Sequence, residues 1–234
     1  MQISDNDAWR SMHTTDRLSG SRLPALLGFF GKEVARTELV TGQREITEEG
    51  CAAMELGKLA EPHILNAFVN FLQQHKAKFD FSKAQCIISY TANLRGDCLL
   101  STNDGSIVFH EAVSMAPFVP YQRYPVEAKF CVKNPQNLTV KATHLPQLCL
   151  EAMSLKTNQA FIIYANDNEM TINFIDFPHF YIARFMSFIN AFDDYKHDSI
   201  DFATYYTNAL AFRRMTYAIS HRFITYSVKA RIVR

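Results

Sequence analysis

Helical spacing at both ends of the chain, short β-type runs between them and one helical stretch set among those runs predict a mixed α/β (α+β) fold. A mixed central sheet flanked by helices is the expected architecture. The sequence has 234 residues, 48% of them hydrophobic and 13% aromatic, which suits one compact domain with a sizeable core. No repeat or low-complexity linker divides it. One domain over 1–234 is therefore expected, with a helical part at about 1–80, a sheet core at about 85–177 and closing helices at about 178–234.

Taken in order, Ser21 is the expected cap of a short helix carrying Leu23, Leu26, Leu27 and Phe30. Thr47, followed by Glu48 and Glu49, opens a longer helical pattern through Cys51, Met54, Leu59, Ile64, Phe68, Phe71 and Leu72. Gly57 weakens it, and Pro62 implies either a kink or a second helix starting there. AQCIISYTA, DCLL, SIVFHEAV and YPVEAKFCV then read as strands, with Asn103-Asp104-Gly105 as a turn signal. LPQLCLEAMSLK returns to helical spacing, QAFIIYA and MTINFIDF read as strands, and helices resume from His179. The stripe Phe180, Ile182, Phe185, Phe188 and Ile189 reads as core packing.

Charges nearly cancel, leaving a formal net of +1, so any polyanion must be held by local patches. The five cysteines form no C-x-x-C pair, which argues against a zinc or iron–sulfur site and for a reducing compartment. No histidine falls in H-E-x-x-H, and P-loop, dinucleotide and G-x-S-x-G motifs are absent. The N-terminus is polar and no apolar run is long enough to span a bilayer. A soluble, intracellular protein with no membrane role is the expectation.

Chemistry concentrates between Gly57 and Gln147. In YPVEAKF, Glu127 and Lys129 lie two apart and so project from one face of a strand. A carboxylate there can hold a hard cation, and the ammonium can orient a water or steady a phosphate. Asp97, in RGDCLL, enters an apolar run where an acid is costly unless paired or metal-bound. Glu61 precedes Pro62, and Gln147 lies one helical turn from Glu151 just ahead of a strand ending in Tyr164. The C-terminal region is a candidate DNA-tracking patch: Arg213, Arg214, Arg222, Lys229, Arg231 and Arg234 interleave with Tyr217, Phe223 and Tyr226, without an acid from Ala211 onward. A solvated helix face followed by a frayed tail explains the same pattern.

The series GKLAEP, GDCLL, VEAKF and PQLCLEAM resembles the lambda-exonuclease-like, or YqaJ-type, viral recombinase family of PD-(D/E)xK nucleases, related to viral alkaline nucleases. The resemblance covers roughly residues 17 to 166. It implies a restriction-endonuclease-like core and a Mg²⁺-dependent DNA nuclease, Mn²⁺ being able to substitute. The implied activity is 5′-to-3′ exonuclease action on duplex ends in viral or phage-type recombination and replication, with a single-strand-annealing partner, in the cytoplasm or a host nucleus. It implies catalytic roles for Glu61, Asp97, Glu127, Lys129 and Gln147, with Asp97, Glu127 and the Ala128 carbonyl on the metal. Leu18-Ser19-Gly20-Ser21 matches the family's ITAS-like segment, which implies Ser21 at a DNA phosphate with Arg17 nearby. Gly96-Asp97-Cys98 replaces the family's Pro-Asp-Gly, and Asp104-Gly105 offers a rival match. Endonuclease or RNA-degrading activity on the same site, or a nucleic-acid-binding homologue without catalysis, are the alternative readings. Oligomeric state is not legible.

Overall fold

A computed structural model describes residues 18–42, 47–82, 86–90, 99–112, 118–132, 137–219, 223–230 and 232. Arg17 and Asp97 lie outside the described residues, as do Arg222, Arg231 and Arg234.

The chain begins with β1 (Leu18–Ser19), a 3-10 turn over Gly20–Arg22, α1 (Leu23–Leu26), α2 (Lys32–Thr41) and the long α3 (Glu48–Gln74). Ser21 is not a cap: it lies inside the 3-10 turn, and Arg22 precedes α1 without a side-chain capping bond. The short helix ends at Leu26, which leaves Phe30 outside it and half exposed. Thr47 does cap α3, its hydroxyl accepting from the Gly50 amide at 3.2 Å. Pro62 neither ends nor divides α3, which is helical over 27 residues. Pro62 faces solvent, where water can take up the Lys58 carbonyl that the missing N–H leaves without a helical partner. The first turns of α3 are largely exposed; from Ala60 the helix buries Ile64, Leu65, Phe68, Phe71 and Leu72. Glu61 therefore sits where α3 first meets the core.

Two sheets follow. β2 (Phe79–Ser82), β5 (Gly105–Phe109), β6 (Arg123–Phe130), β7 (Gln159–Ala165), β8 (Glu169–Asp176) and β9 (Phe223–Lys229) form a six-stranded sheet in the order β2-β5-β6-β7-β8-β9. β3 (Cys86–Tyr90) and β4 (Leu99–Asn103) join β1 in a small second sheet that sequence patterning did not separate from the first. β6 and β7 run parallel, so the chain between them must cross over; α4 (Leu145–Ser154) makes that crossing. The other pairings in the large sheet are antiparallel, which makes it the mixed sheet expected. After α5 (His179–Lys196) and α6 (Phe202–Ile219) the chain returns to the sheet as β9, a strand in a region the sequence offered as a DNA-tracking patch or as a helix face with a frayed tail.

Alternation along β6 and β7 separates two cores. Tyr124, Val126, Ala128, Phe161 and Ile163 pack with α3, while Ala160, Ile162 and Tyr164 face the side covered by α1, α4, α5 and α6. Complete burial of a side chain such as Phe68 or Ile162 contributes about 1.5–3 kcal/mol each, enough to fix which face of β6 meets which layer. Because Val126 and Ala128 look toward α3, Glu127 and Lys129 are committed by period-two geometry to other surroundings. On that side Glu127 meets α4.

Candidate active site

β6 carries Glu127 at 2% exposure, a value at which a carboxylate must be bonded, protonated or bound to a cation. Its Oε1 accepts from the Lys129 ammonium on the same strand face and from Gln147 Nε2 at 2.8 Å. Its Oε2 is buried without a partner. Gln147 Nε2 also donates to Glu151 Oε1 at 2.8 Å, one helical turn along α4. Glu151 is 1% exposed and its Oε2, too, lacks a partner. α4 is apolar and buried almost all round, so a glutamate in its middle is the anomaly rather than the rule.

Asp104 lies where the chain passes from β4 of the small sheet to β5 of the large one. β5 pairs with β6 only as far as Gly105 opposite Val126. Beyond that point the Ala128 amide donates instead to Asp104 Oδ2 at 2.7 Å. Within an extended strand the N–H and C=O of one residue point toward the same neighbour, so the Ala128 carbonyl also faces the space where β5 has ended. Gly105 is needed for close approach: a Cβ there would lie 2.8 Å from the Phe81 ring and 3.0 Å from the Ser82 carbonyl oxygen. Asn103 braces the crossing, its amide donating to the Gly105 carbonyl at 2.7 Å.

Four carboxylates, Glu61, Asp104, Glu127 and Glu151, thus share one field with the partly buried ammonium of Lys129. Burial raises Glu61 above its ordinary range, helped by Glu127 and opposed by Lys129 and Lys58. Burial, then Glu127 and Glu61, push Asp104 well up against Lys129 and the Ala128 amide. Burial, then Glu127, does the same to Glu151. Burial on its own would depress Lys129, but Glu127, Asp104 and Glu151 outweigh it and hold the ammonium above the usual lysine range.

Among the described residues, no three His, Cys, Asp or Glu side chains stand together as a finished metal cage. The donors are nonetheless of the kind a hard cation takes: two buried carboxylate oxygens have no hydrogen-bond partner, and burial and mutual repulsion raise the proton affinity of the acids beside them.

The structure brings Glu61, Glu127, Lys129, Ala128 and Gln147 into one neighbourhood. Asp104, only a rival match in the sequence, joins them, and so does Glu151, whose signal was its four-residue spacing from Gln147. Ser21 is exposed, with its hydroxyl 3.3 Å from that of Ser19. Arg213 donates to the Gly28 carbonyl and so ties α6 to the turn after α1, while Arg214 is exposed on α6.

Gly20 backs directly onto Gln147: a Cβ at Gly20 would meet Gln147 Cγ at 2.9 Å. Gly20→Val is expected to push Gln147 off Glu127 and Glu151. The resulting loss of turnover should be roughly tenfold or more, the scale of a hydrogen bond to a charged group. Steady-state kinetics beside a thermal melt checks this; an unchanged kcat would show that Gln147 does not need its present position.

No protein-family model matches the chain, and no curated protein matches its sequence. Among solved structures, an alkaline exonuclease from Laribacter hongkongensis is similar in fold, with a TM-score of 0.54 and 13% sequence identity over 92% of this chain and 100% of that one. No helix among the described residues is long and apolar enough to cross a membrane.

Proposed function

We propose that this chain is a divalent-cation-dependent DNA nuclease whose site is built from Glu61, Asp104, Glu127, Lys129, Gln147 and Glu151. The observation that carries the reading is the pair of buried, unpartnered oxygens on Glu127 and Glu151, set among further acids around Lys129. The fold shared with an alkaline exonuclease supports it.

Asp104, Glu127 and the Ala128 carbonyl would hold the cation, with Glu151 and Glu61 adding negative charge around it. Mg²⁺ is the expected ion, with Mn²⁺ able to replace it. Such an ion, when bound, offsets phosphate charge and makes a bound water more acidic. The protein's own contribution is placement. Gln147 holds the two carboxylates in fixed orientation through its single amide nitrogen. Lys129 remains charged in its acidic surroundings and is positioned to orient the attacking water or steady the phosphate. Exonuclease action on duplex ends with 5′-to-3′ polarity, a recombination role and an annealing partner follow the sequence resemblance. Ser21 and Arg214, with Arg17, are the proposed DNA contacts.

The test compares a blunt linear duplex, a closed circular duplex and single-stranded RNA with Mg²⁺, Mn²⁺ or EDTA. The linear duplex is expected to lose nucleotides from its ends in either metal and to stay intact in EDTA. Failure to cut any of the three in either metal would sink the proposal.

Proton linkage gives an independent expectation. Asp104 starts from an ordinary 3.8 and Glu151 from 4.5, and both are raised on folding. Between those ordinary values and the raised ones the folded chain binds more protons than the unfolded chain, so stability falls as pH rises through that window. Each tenfold gain in proton affinity is about 1.4 kcal/mol; Glu61, partly exposed, adds less. The metal-free protein should therefore melt lower at pH 8 than at pH 5.5, and Mg²⁺ or Mn²⁺ should narrow the difference by stabilising the ionised acids. Thermal melts at both pH values, with metal or EDTA, measure this. Equal metal-free melting temperatures would contradict it.

A further inference from the structure

On the Lys129 side of the cluster lies a second set of groups that the nuclease reading does not use. Tyr164, opposite Lys129 in the parallel register, is completely buried. Its hydroxyl oxygen accepts from the Lys141 amide at 3.1 Å, and His144 Nδ1 is 2.8 Å away. A buried phenol has one proton to give, and with the Lys141 amide already donating to its oxygen the acceptor for that proton is Nδ1. His144 is thereby fixed with its own proton on Nε2. Burial, then Lys129 and Lys141, push its pKa down to about 3, so the ring is a neutral N–H donor under working conditions. The two rings lie nearly parallel, 17° apart, which holds the imidazole in place.

Nε2 has no protein partner among the described residues, and Lys141 has no carboxylate partner there; its ammonium lies 5.8 Å from the centroid of the Tyr164 ring. Tyr164 ties the groups together: His144 is bonded to its hydroxyl, the Lys141 ammonium lies against its ring and Lys129 stands opposite it on β6, and both ammoniums act on His144 through their charges. All three are donors, and two are positive. A phosphodiester oxygen is the chemical class that satisfies this set.

We propose that Lys141 and His144 form a subsite for a non-scissile phosphate of the substrate strand, next to the one that Lys129 addresses. Tyr164 is its positioning residue, because it sets the histidine tautomer. This rests on the nuclease reading above, which supplies the strand. The adjoining acids repel a polyanion, and the subsite offers a compensating foothold beside them.

The test measures binding of a 5′-phosphorylated linear duplex by fluorescence anisotropy across a salt series in Ca²⁺, and cleavage in Mg²⁺, for the wild type, Lys141→Ala and His144→Ala. Lys141→Ala keeps the backbone amide that Tyr164 accepts, so the fold around the phenol is retained. It should flatten the slope of log K against log salt by about 0.9, the loss of one phosphate contact. His144→Ala should raise KM roughly tenfold with little change in kcat, and His144→Gln, which restores an N–H, should recover part of it. A Lys141→Ala slope equal to that of the wild type overturns the subsite even if the wild type cuts DNA normally. A wild type that neither binds nor cuts the duplex overturns the nuclease reading first, and the subsite with it.

Discussion

Glu127→Gln is expected to remove Mg²⁺-dependent cleavage almost entirely, by about a hundred- to thousandfold in kcat, without unfolding the protein. The substitution keeps the shape of the side chain, and its amide oxygen can still accept from Lys129 and Gln147, the two bonds that hold Glu127 Oε1. What disappears is the charge. Glu127 raises the proton affinity of Glu61, Asp104 and Glu151, so removing it relieves all three. The metal-free variant should therefore melt no lower than the wild type, whereas the stabilisation that Mg²⁺ gives should shrink. This pairing of lost activity with undiminished metal-free stability separates a site acid from a structural one. A buried glutamate kept only for its ion pair with Lys129 would give the reverse, because removing its charge would leave that partly buried ammonium less compensated. Lys129→Met provides the second arm: it should abolish turnover yet lower metal-free stability, since four carboxylates would lose their shared cation. Cleavage within about tenfold of wild type in Glu127→Gln would refute the assignment of the site.

The strand pair Glu127–Lys129 was readable in the sequence because period-two geometry is local: two residues apart on an apolar strand leaves one choice of face. Gln147 was readable for the same reason on a helix. Glu151 was visible at four-residue spacing, but spacing alone implies a solvent-facing stripe. Only tertiary packing shows that α4 is buried nearly all round, which turns an ordinary glutamate into an expensive one. Most strands and helices followed from hydrophobic pattern, but β2 fell at the end of the stretch read as helical. β9 did not follow from that pattern either, although FITYSVK is rich in β-branched and aromatic residues, because its partner β8 lies two helices upstream and the basic surroundings read as a DNA-tracking patch or a frayed tail. The small sheet escaped notice because β1 and β4 are far apart in the chain, and strand pairing over such distances leaves no local mark.

Asp104→Asn is expected to match Glu127→Gln in its loss of turnover, while Asp97→Asn should leave cleavage within a few-fold of wild type. The sequence presents both aspartates before the E-x-K strand, and Asn103-Asp104-Gly105 reads most simply as a turn. Turns and crossings between sheets draw on the same residues, since both need a short polar side chain that bonds nearby backbone and a glycine that permits close approach. Here the Asp104 carboxylate is bonded to the amide that lies between Glu127 and Lys129, so its position is tied to the strand that bears those two side chains. The Gly105 contact with β2 fixes it from the other side. Asn at 104 can still accept from the Ala128 amide, so the crossing should survive; the carboxylate charge, which shares the field of Glu127 and Lys129, is what is lost. Calorimetric titration with Mn²⁺ should show weakened binding in Asp104→Asn and wild-type binding in Asp97→Asn. The opposite order would move the metal aspartate to 97 and make Asp104 a structural clamp on β6. Equal loss in both would require the two aspartates to serve one site together, a larger constellation than Asp104 and Glu127 alone.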